Sequence, residues 1–279
     1  MTTDWRERIN TVLGFEINQK YVDICNQRLA YRRFYRMNQD KNSMLFWYPK
    51  IAKLADQVPQ PKTQILEVDS NLCWSCLDGK PDFQKRYGEK IEEIVNNFGY
   101  PFFLRTDYCS GKWDWEESCF VPSLKKLLLH IFRVIEATAL ADKETNALVF
   151  REYIPMESKF RAFWGKLPIS VERRYFIDCG KVLCHHPYWP EDAITQVEWT
   201  LEEKIKKTWK NLLVEMNQET KEEILTLTKY CELVGKEMGG FWSVDFAKSE
   251  KGIWYLIDMA LGKNSWHPAC SKRKKVEIL

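Results

Sequence analysis

The sequence predicts an α+β protein in which antiparallel sheet is flanked by helices, and three observations carry this. Short alternating stretches separated by tight turns run from Lys159 to Cys184, the pattern of antiparallel strands. Phe241 to Ala247 and Ile253 to Ala260 alternate on either side of a turn at Lys251-Gly252, the pattern of a hairpin. Two charged amphipathic stretches, Asp82 to Phe98 and Lys221 to Met238, read as helices that stop at Gly99 and at Gly239-Gly240.

Taken in order, residues 5–56 read as helical, with Val22, Cys25 and Leu29 at helical spacing and a second stretch through Trp47, Ile51 and Leu54. Pro59 and Pro61 end that run. Thr63 to Val68 alternates as a strand and leads to the helix at 82–98. Pro101 to Asp107 is a short apolar strand with a charged end, followed by Ser110-Gly111-Lys112 and Trp113-Asp114-Trp115. After a helix around Leu124 to Leu140 comes a buried strand, Ala147 to Phe150, which runs into the polar hinge Arg151-Glu152-Tyr153-Ile154-Pro155. The strands from 159 to 184 turn at Gly165-Lys166-Leu167-Pro168 and at Asp178-Cys179-Gly180-Lys181. Helices over Leu201 to Met216 and Lys221 to Met238 then lead to the last hairpin.

Composition bounds the function. A chain of 279 residues suffices for one large domain or two apposed ones, and 45% hydrophobic residues with few Gly and Pro indicate a folded core. No apolar run approaches the ~20 residues of a membrane span, and Met1-Thr2-Thr3-Asp4-Trp5-Arg6 lacks signal-peptide character. A cytoplasmic location is therefore expected. Nine cysteines, an odd number scattered through core-like segments such as Cys25, Cys184 and Cys231, fit reduced thiols. The net charge of +3 gives little support for nucleic-acid or membrane binding.

Three segments carry chemistry. Ser110-Gly111-Lys112 follows a strand, so its backbone N–H groups and the Lys112 ammonium suit a phosphate clamp, although a surface hairpin with an incidental Lys would look the same. Arginines on the strands after the hinge point either at a ligand or at solvent. Asp245 and Asp258 sit at corresponding levels of the last hairpin, where two carboxylates can share a magnesium ion that bridges nucleotide phosphates. The alternative is that both acids lie on a wet face.

In this order, the pieces over residues 58–268 resemble the ATP-grasp superfamily, in which two α+β subdomains clasp a nucleotide between two antiparallel sheets. Residues 1–57 are set apart as an N-terminal helical segment, and the resemblance implies the first subdomain region at 58–145 and a second subdomain at 146–279. It also implies ATP and Mg2+ as cofactors. Arg105 stands where most members have a strand Lys, and Ser110, Gly111 and Lys112 look like the phosphate loop. Arg151, Glu152, Tyr153 and Ile154 look like the adenine hinge, Arg161 would reach the terminal phosphates, and Asp245 and Asp258 would be the metal ligands. The last metal motif is usually Glu-x-Asn. Here it is Asp258-Met259-Ala260, so one ligand is missing or displaced to Asn264. These departures resemble the small divergent members of phages and viruses.

For an active member the resemblance implies an ATP-dependent ligase. It would activate a carboxylate, of a small molecule or a protein, as an acyl phosphate for attack by an amine or thiol, with Lys112 and Arg161 stabilising the transferring phosphoryl group. Arg173, Arg174 and Asn264 would line the acceptor pocket. An ATP-binding assembly or regulatory factor without turnover is the alternative, and a nucleic-acid end-modifying enzyme a third.

Other features carry less. Arg28 to Arg36, with interleaved aromatics, reads as a helix with a solvated basic face, though such a face can also grip RNA, and the basic tail Lys272 to Lys275 reads as solvated. Cys73-Trp74-Ser75-Cys76 is a lone C-x-x-C. His185 and His186 adjoin on a strand and so face opposite ways, which reads as one buried and one exposed imidazole rather than a metal pair. Trp113, Trp115 and Trp189 read as core or lid aromatics.

Overall fold

The computed structural model describes residues 40–270. The basic cluster at Arg28 to Arg36, the tail at 272–275 and most of the expected N-terminal helical segment lie outside the described residues.

The chain from Lys41 onward is one compact unit. It is built on two four-stranded sheets and a two-stranded hairpin. The first sheet contains β1 (Thr63–Glu67), β2 (Phe102–Thr106), β3 (Phe120–Val121) and β4 (Ala147–Glu152) in the order β1-β4-β2-β3. β5 (Ser158–Ala162) and β6 (Leu167–Ser170) form the hairpin. The second sheet contains β7 (Glu172–Asp178), β8 (Lys181–Pro187), β9 (Phe241–Lys248) and β10 (Trp254–Leu261) in the order β10-β9-β7-β8. All pairings are antiparallel. β4 lies inside the first sheet, between β1 and β2, because its Ala147 to Phe150 run is buried on both faces. The chain therefore leaves the first sheet after Glu152, beyond the expected boundary at 145.

Helices cover each sheet. α1 (Met44–Ile51), α2 (Ser70–Leu77), α3 (Asp82–Phe98) and α4 (Leu127–Leu140) precede the hinge. α5 (Glu191–Thr195), α6 (Glu203–Lys206), α7 (Trp209–Met216) and α8 (Lys221–Met238) follow it. The expected helix over 201–216 is broken into α6 and α7, and α2 and α5 are short elements without a long periodic signal. α3 buries Phe83, Ile91, Ile94 and Val95, a single stripe at helical spacing that packs on Leu66, Phe102 and Leu148 of the first sheet. The second core gathers Tyr175, Ile177, Val244 and Phe246 beneath Leu213, Leu227, Cys231 and Val234, with Trp47 and Ile51 of α1 joining it.

Local chemistry fixes the joints. Ser43 caps α1 by accepting from Leu45 N at 3.2 Å, and its hydroxyl donates to Asp107 Oδ2 at 2.8 Å. Asp107 Oδ1 also accepts from the N–H groups of Asn146 and Ala147, so the acid at the end of β2 is buried and serves the fold. The turn at 178–181 has φ +46° at Cys179 and +82° at Gly180, both left-handed, as a two-residue hairpin loop of type I′ requires. α8 crosses this turn at Gly235, where an added Cβ would lie 2.2 Å from Gly180 Cα. Gly235→Ala is therefore expected to cost on the order of 1–3 kcal/mol through overpacking. A lowered urea midpoint would show it, and an unchanged midpoint would contradict the close approach.

Candidate nucleotide-binding cleft

Between the two large sheets lies a cleft of about 300 Å³. That is the low end of the size range of small-molecule sites. Its walls come from β2 and β4 on one side, from β7, β9 and β10 on the other, and from the 108–115 loop, the hinge and the β5–β6 hairpin at the ends. Among the expected residues, Arg105, Ser110, Lys112, Arg151, Glu152, Tyr153, Ile154, Asp245 and Asp258 all line it. Gly111 sits behind them in a left-handed turn at φ +60°, which sets up the short 3-10 turn that starts at Lys112.

The strands fix where the cations stand. Arg105 and Arg151 lie on neighbouring strands, β2 and β4, and both are buried at the cleft floor. Arg105 Nη1 forms an ion pair with Asp258 Oδ2 at 3.0 Å, while its Nε donates to Thr106 O. Arg151 donates from Nη1 to Ile257 O at 2.5 Å and from Nε to Thr63 Oγ1 at 3.2 Å. Both guanidinium groups thus reach from the first sheet to β10 of the second. Burial and the neighbouring Arg105 charge bring the Arg151 pKa down to about 10, so it remains a cation at neutral pH. Its Nη2 is buried without a hydrogen-bond partner. An anion in the cleft would satisfy that nitrogen and relieve the repulsion between the two guanidiniums.

Lys112 reaches across the cleft. Its Nζ donates to Tyr188 Oη at 3.1 Å, lies 3.7 Å from Glu172 Oε2 and stands 4.2 Å from the Tyr188 ring centroid. Burial opposes its charge, but Glu172, with Tyr188 and Asp245, more than offsets this and holds its pKa above the usual lysine range. Burial pushes the Glu172 carboxyl up, and Lys112 only partly compensates. The ammonium is the secure charge of the pair, since it faces three stabilising groups.

The two acids are direct register partners, Asp258 opposite Asp245, because a bulge between Leu256 and Asp258 re-aims β10. Directly opposed residues have Cβ atoms ~4.5–5.5 Å apart, close enough for both carboxylates to hold one divalent cation. Asp245 accepts two hydrogen bonds from Arg174, Nε to Oδ1 and Nη2 to Oδ2, each 2.8 Å. Carboxylate oxygens are the hard donors that a magnesium ion takes. A cation here would compete with Arg105 and Arg174 for them. The lining also holds aromatic and apolar side chains, Phe103, Trp115, Tyr153, Ile154, Leu167 and Ile257, which suit a planar base.

Besides Gly111, four expected residues do not line the cleft. Arg161 is on β5, where it pairs with Glu116 at 3.0 Å and donates to the carbonyls of Gly165 and Lys166 in its own hairpin. Arg173 and Arg174 are consecutive strand residues and face opposite sides of the sheet. Arg173 is 1% exposed and turns away to the helix layer, donating to Met216 O and Gln218 O and pairing with Glu219. Arg174 faces the cleft side but acts on Asp245 rather than lining the wall. Asn264 is exposed in the turn after β10. Glu172, Ser170 and Tyr188 line the cleft without a sequence signal of their own. Strand alternation was the available clue, since Glu172 shares a face with Arg174, the register partner of Asp245.

Among the described residues no helix is long and apolar enough to cross a membrane. A search of curated proteins found no match. Among solved structures the chain is similar to Cdc123 from Schizosaccharomyces pombe, with 14% identity, a TM-score of 0.52, and 84% of this chain and 90% of that chain covered. It is also similar to D-alanine–D-alanine ligase from Bacillus anthracis complexed with ATP, with 13% identity, a TM-score of 0.42, and 78% and 54% covered. The first of these likenesses supports the fold of two sheets around a cleft. The sequence itself matches the profile of the ATP-grasp domain, R-2-K clade family 3, over residues 86–277. With that match spanning most of the chain and the two-sheet cleft in place, the protein belongs to family 3 of the R-2-K clade of ATP-grasp domains.

Proposed function

We propose that the cleft binds ATP with magnesium and that the chain is an ATP-dependent ligase which activates a carboxylate for attack by an amine or thiol. The observation that carries this reading is the convergence, in one cleft, of buried Arg105 and Arg151 and half-buried Lys112 with the register-paired Asp245 and Asp258. In this proposal the adenine lies against Phe103, Trp115 and Tyr153 and meets the backbone of Tyr153 and Ile154, with Glu152 at the rim. Arg105, Lys112 and Arg151 hold the phosphates, helped by the backbone at Ser110 and Gly111. Asp245 and Asp258 hold the magnesium ion, whose chemistry is to neutralise charge on the transferring phosphoryl group. Arg161 joins this set only if the β5–β6 hairpin moves over the cleft and exchanges Glu116 for phosphate. Arg174 lies on the acceptor side, and Arg173 and Asn264 are not assigned to the site.

A second reading, an ATP-binding assembly or regulatory factor without turnover, is favoured by one feature. Both metal-binding acids are already paired with arginines, and Ala260 stands where the superfamily usually has a further ligand. ADP release separates the two. Incubating the protein with magnesium ATP and pools of carboxylic acids and amines is expected to raise ADP release over ATP alone. Tight, magnesium-dependent ATP binding with no acid- or amine-dependent release would overturn the ligase and leave the factor.

A further inference from the structure

Away from the cleft, the segment after β10 folds back onto β8 and brings four metal-binding side chains together. Cys184, His186, His267 and Cys270 each offer one donor atom, and these atoms all lie within 4.8 Å of one another. Cys184 and His186 alternate on β8 and so share a face. His185 between them turns the other way, with Nδ1 3.2 Å from Glu219 and its ring stacked on Tyr175. The two histidines face opposite sides as expected, but both are half-buried rather than one buried and one exposed. The partners of Cys184 and His186 come from a loop distant in sequence, so local spacing could not reveal them.

The geometry is that of a metal cage. His267 Nε2 lies 3.1 Å from Cys184 Sγ and 3.7 Å from Cys270 Sγ. The His186 and His267 rings stand 5.0 Å apart at 80°. A neutral imidazole nitrogen has one in-plane lone pair and can take a proton from only one thiol, yet two sulfurs converge on this one. His186 Nε2 is buried without a hydrogen-bond partner, a cost that a metal bond would remove. Zinc–ligand bonds of about 2.3 Å to sulfur and 2.0–2.1 Å to nitrogen place tetrahedral donors roughly 3.3–3.8 Å apart; the two His267–sulfur separations lie near that range, and the whole cluster stays within 4.8 Å. None of the described cysteines is in a disulfide, and zinc takes cysteine as the thiolate. We propose that Cys184, His186, His267 and Cys270 form a structural zinc site. Four protein ligands close the coordination shell, which separates it from catalytic zinc.

The site has a place in the architecture. It fastens residues 262–270 onto β8, the edge strand of the second sheet. In that segment Trp266 O accepts from Arg174 Nη1 at 3.3 Å, and Arg174 in turn clamps Asp245. Phe176 walls the site, with its ring 4.5 Å from that of His267. A metal here thus steadies the arginine behind the cleft without touching the cleft itself.

The test is metal content. The full chain, produced without a histidine tag in zinc-supplemented medium and dialysed, is expected to carry one zinc per chain by plasma mass spectrometry. Cys184→Ser and Cys270→Ser should each lose most of it, while Cys76→Ser keeps it. Should the serine variants fail to fold, cobalt(II) exchange into the wild-type chain decides the matter. Intense visible bands of a tetrahedral cobalt site with thiolate charge transfer support the proposal, and an octahedral spectrum overturns it. Wild-type protein with only trace zinc, or with a Cys184–Cys270 disulfide in freshly prepared material, also overturns it. Neither result depends on whether the cleft binds ATP.

Discussion

Replacing Lys112 with Ala is expected to weaken binding of a non-hydrolysable ATP analogue about 10- to 100-fold, the equivalent of losing a charge-assisted hydrogen bond of ~1.5–3 kcal/mol. If the chain turns over, the loss should be larger, on the order of 10²–10³ in kcat/KM, because charge builds on the phosphoryl group in the transition state. The fold should survive. Glu172 loses its cation, but burial already pushes its carboxyl up, so it can take a proton instead of standing charged and unpaired. Calorimetric titration of the variant measures the effect. Wild-type affinity would remove Lys112 from the phosphate site.

Arg173→Ala is expected to have the opposite signature, a large loss of stability with little effect on the cleft. Its guanidinium is buried against the carbonyls of Met216 and Gln218 and pairs with Glu219, and it lies 5.5 Å from the Trp254 ring centroid. Truncation leaves two carbonyls and a carboxylate without their cation, a change of about 3–5 kcal/mol for a buried pair. At ~2–4 °C per kcal/mol for a chain of this size, Tm should fall on the order of 10 °C. Scanning calorimetry reads this directly. A variant with wild-type Tm and impaired nucleotide binding would restore Arg173 to the site and contradict its place in the helix layer.

These two residues also show what is legible in the sequence. The hairpin that carries Asp245 and Asp258 is readable, because alternation over 241–247 and 253–260 with Lys251-Gly252 between admits one pairing. The bulge that makes the two acids direct partners is not, since any residue can occupy it. α3 and α8 are readable from their long stripes and glycine stops, and the turn at 178–181 from Cys179-Gly180. Arg173 and Arg174 look like a pair in the sequence, yet strand alternation, itself a sequence-level rule, separates them. Arg161 sits on a strand as expected, but its hairpin carbonyls and Glu116 compete for its guanidinium, and that competition exists only in three dimensions. Glu172 and Tyr188 join the cleft through cross-strand neighbours and Lys112, which no local pattern encodes. The Cys184, His186, His267 and Cys270 cluster is hidden for the same reason.

The central claim is that Asp245 and Asp258 hold a magnesium ion against a nucleotide. Titrating the wild-type chain and Asp258→Asn with a non-hydrolysable ATP analogue, each with and without magnesium, tests it most directly. Asp258 is the better choice of the two, since its side chain is 40% exposed against 8% for Asp245, and Asn keeps its shape and size. The account expects wild-type binding that strengthens markedly with magnesium, and a variant in which that magnesium dependence is lost. Binding by wild type that ignores magnesium, or an undiminished magnesium effect in Asp258→Asn, would contradict it.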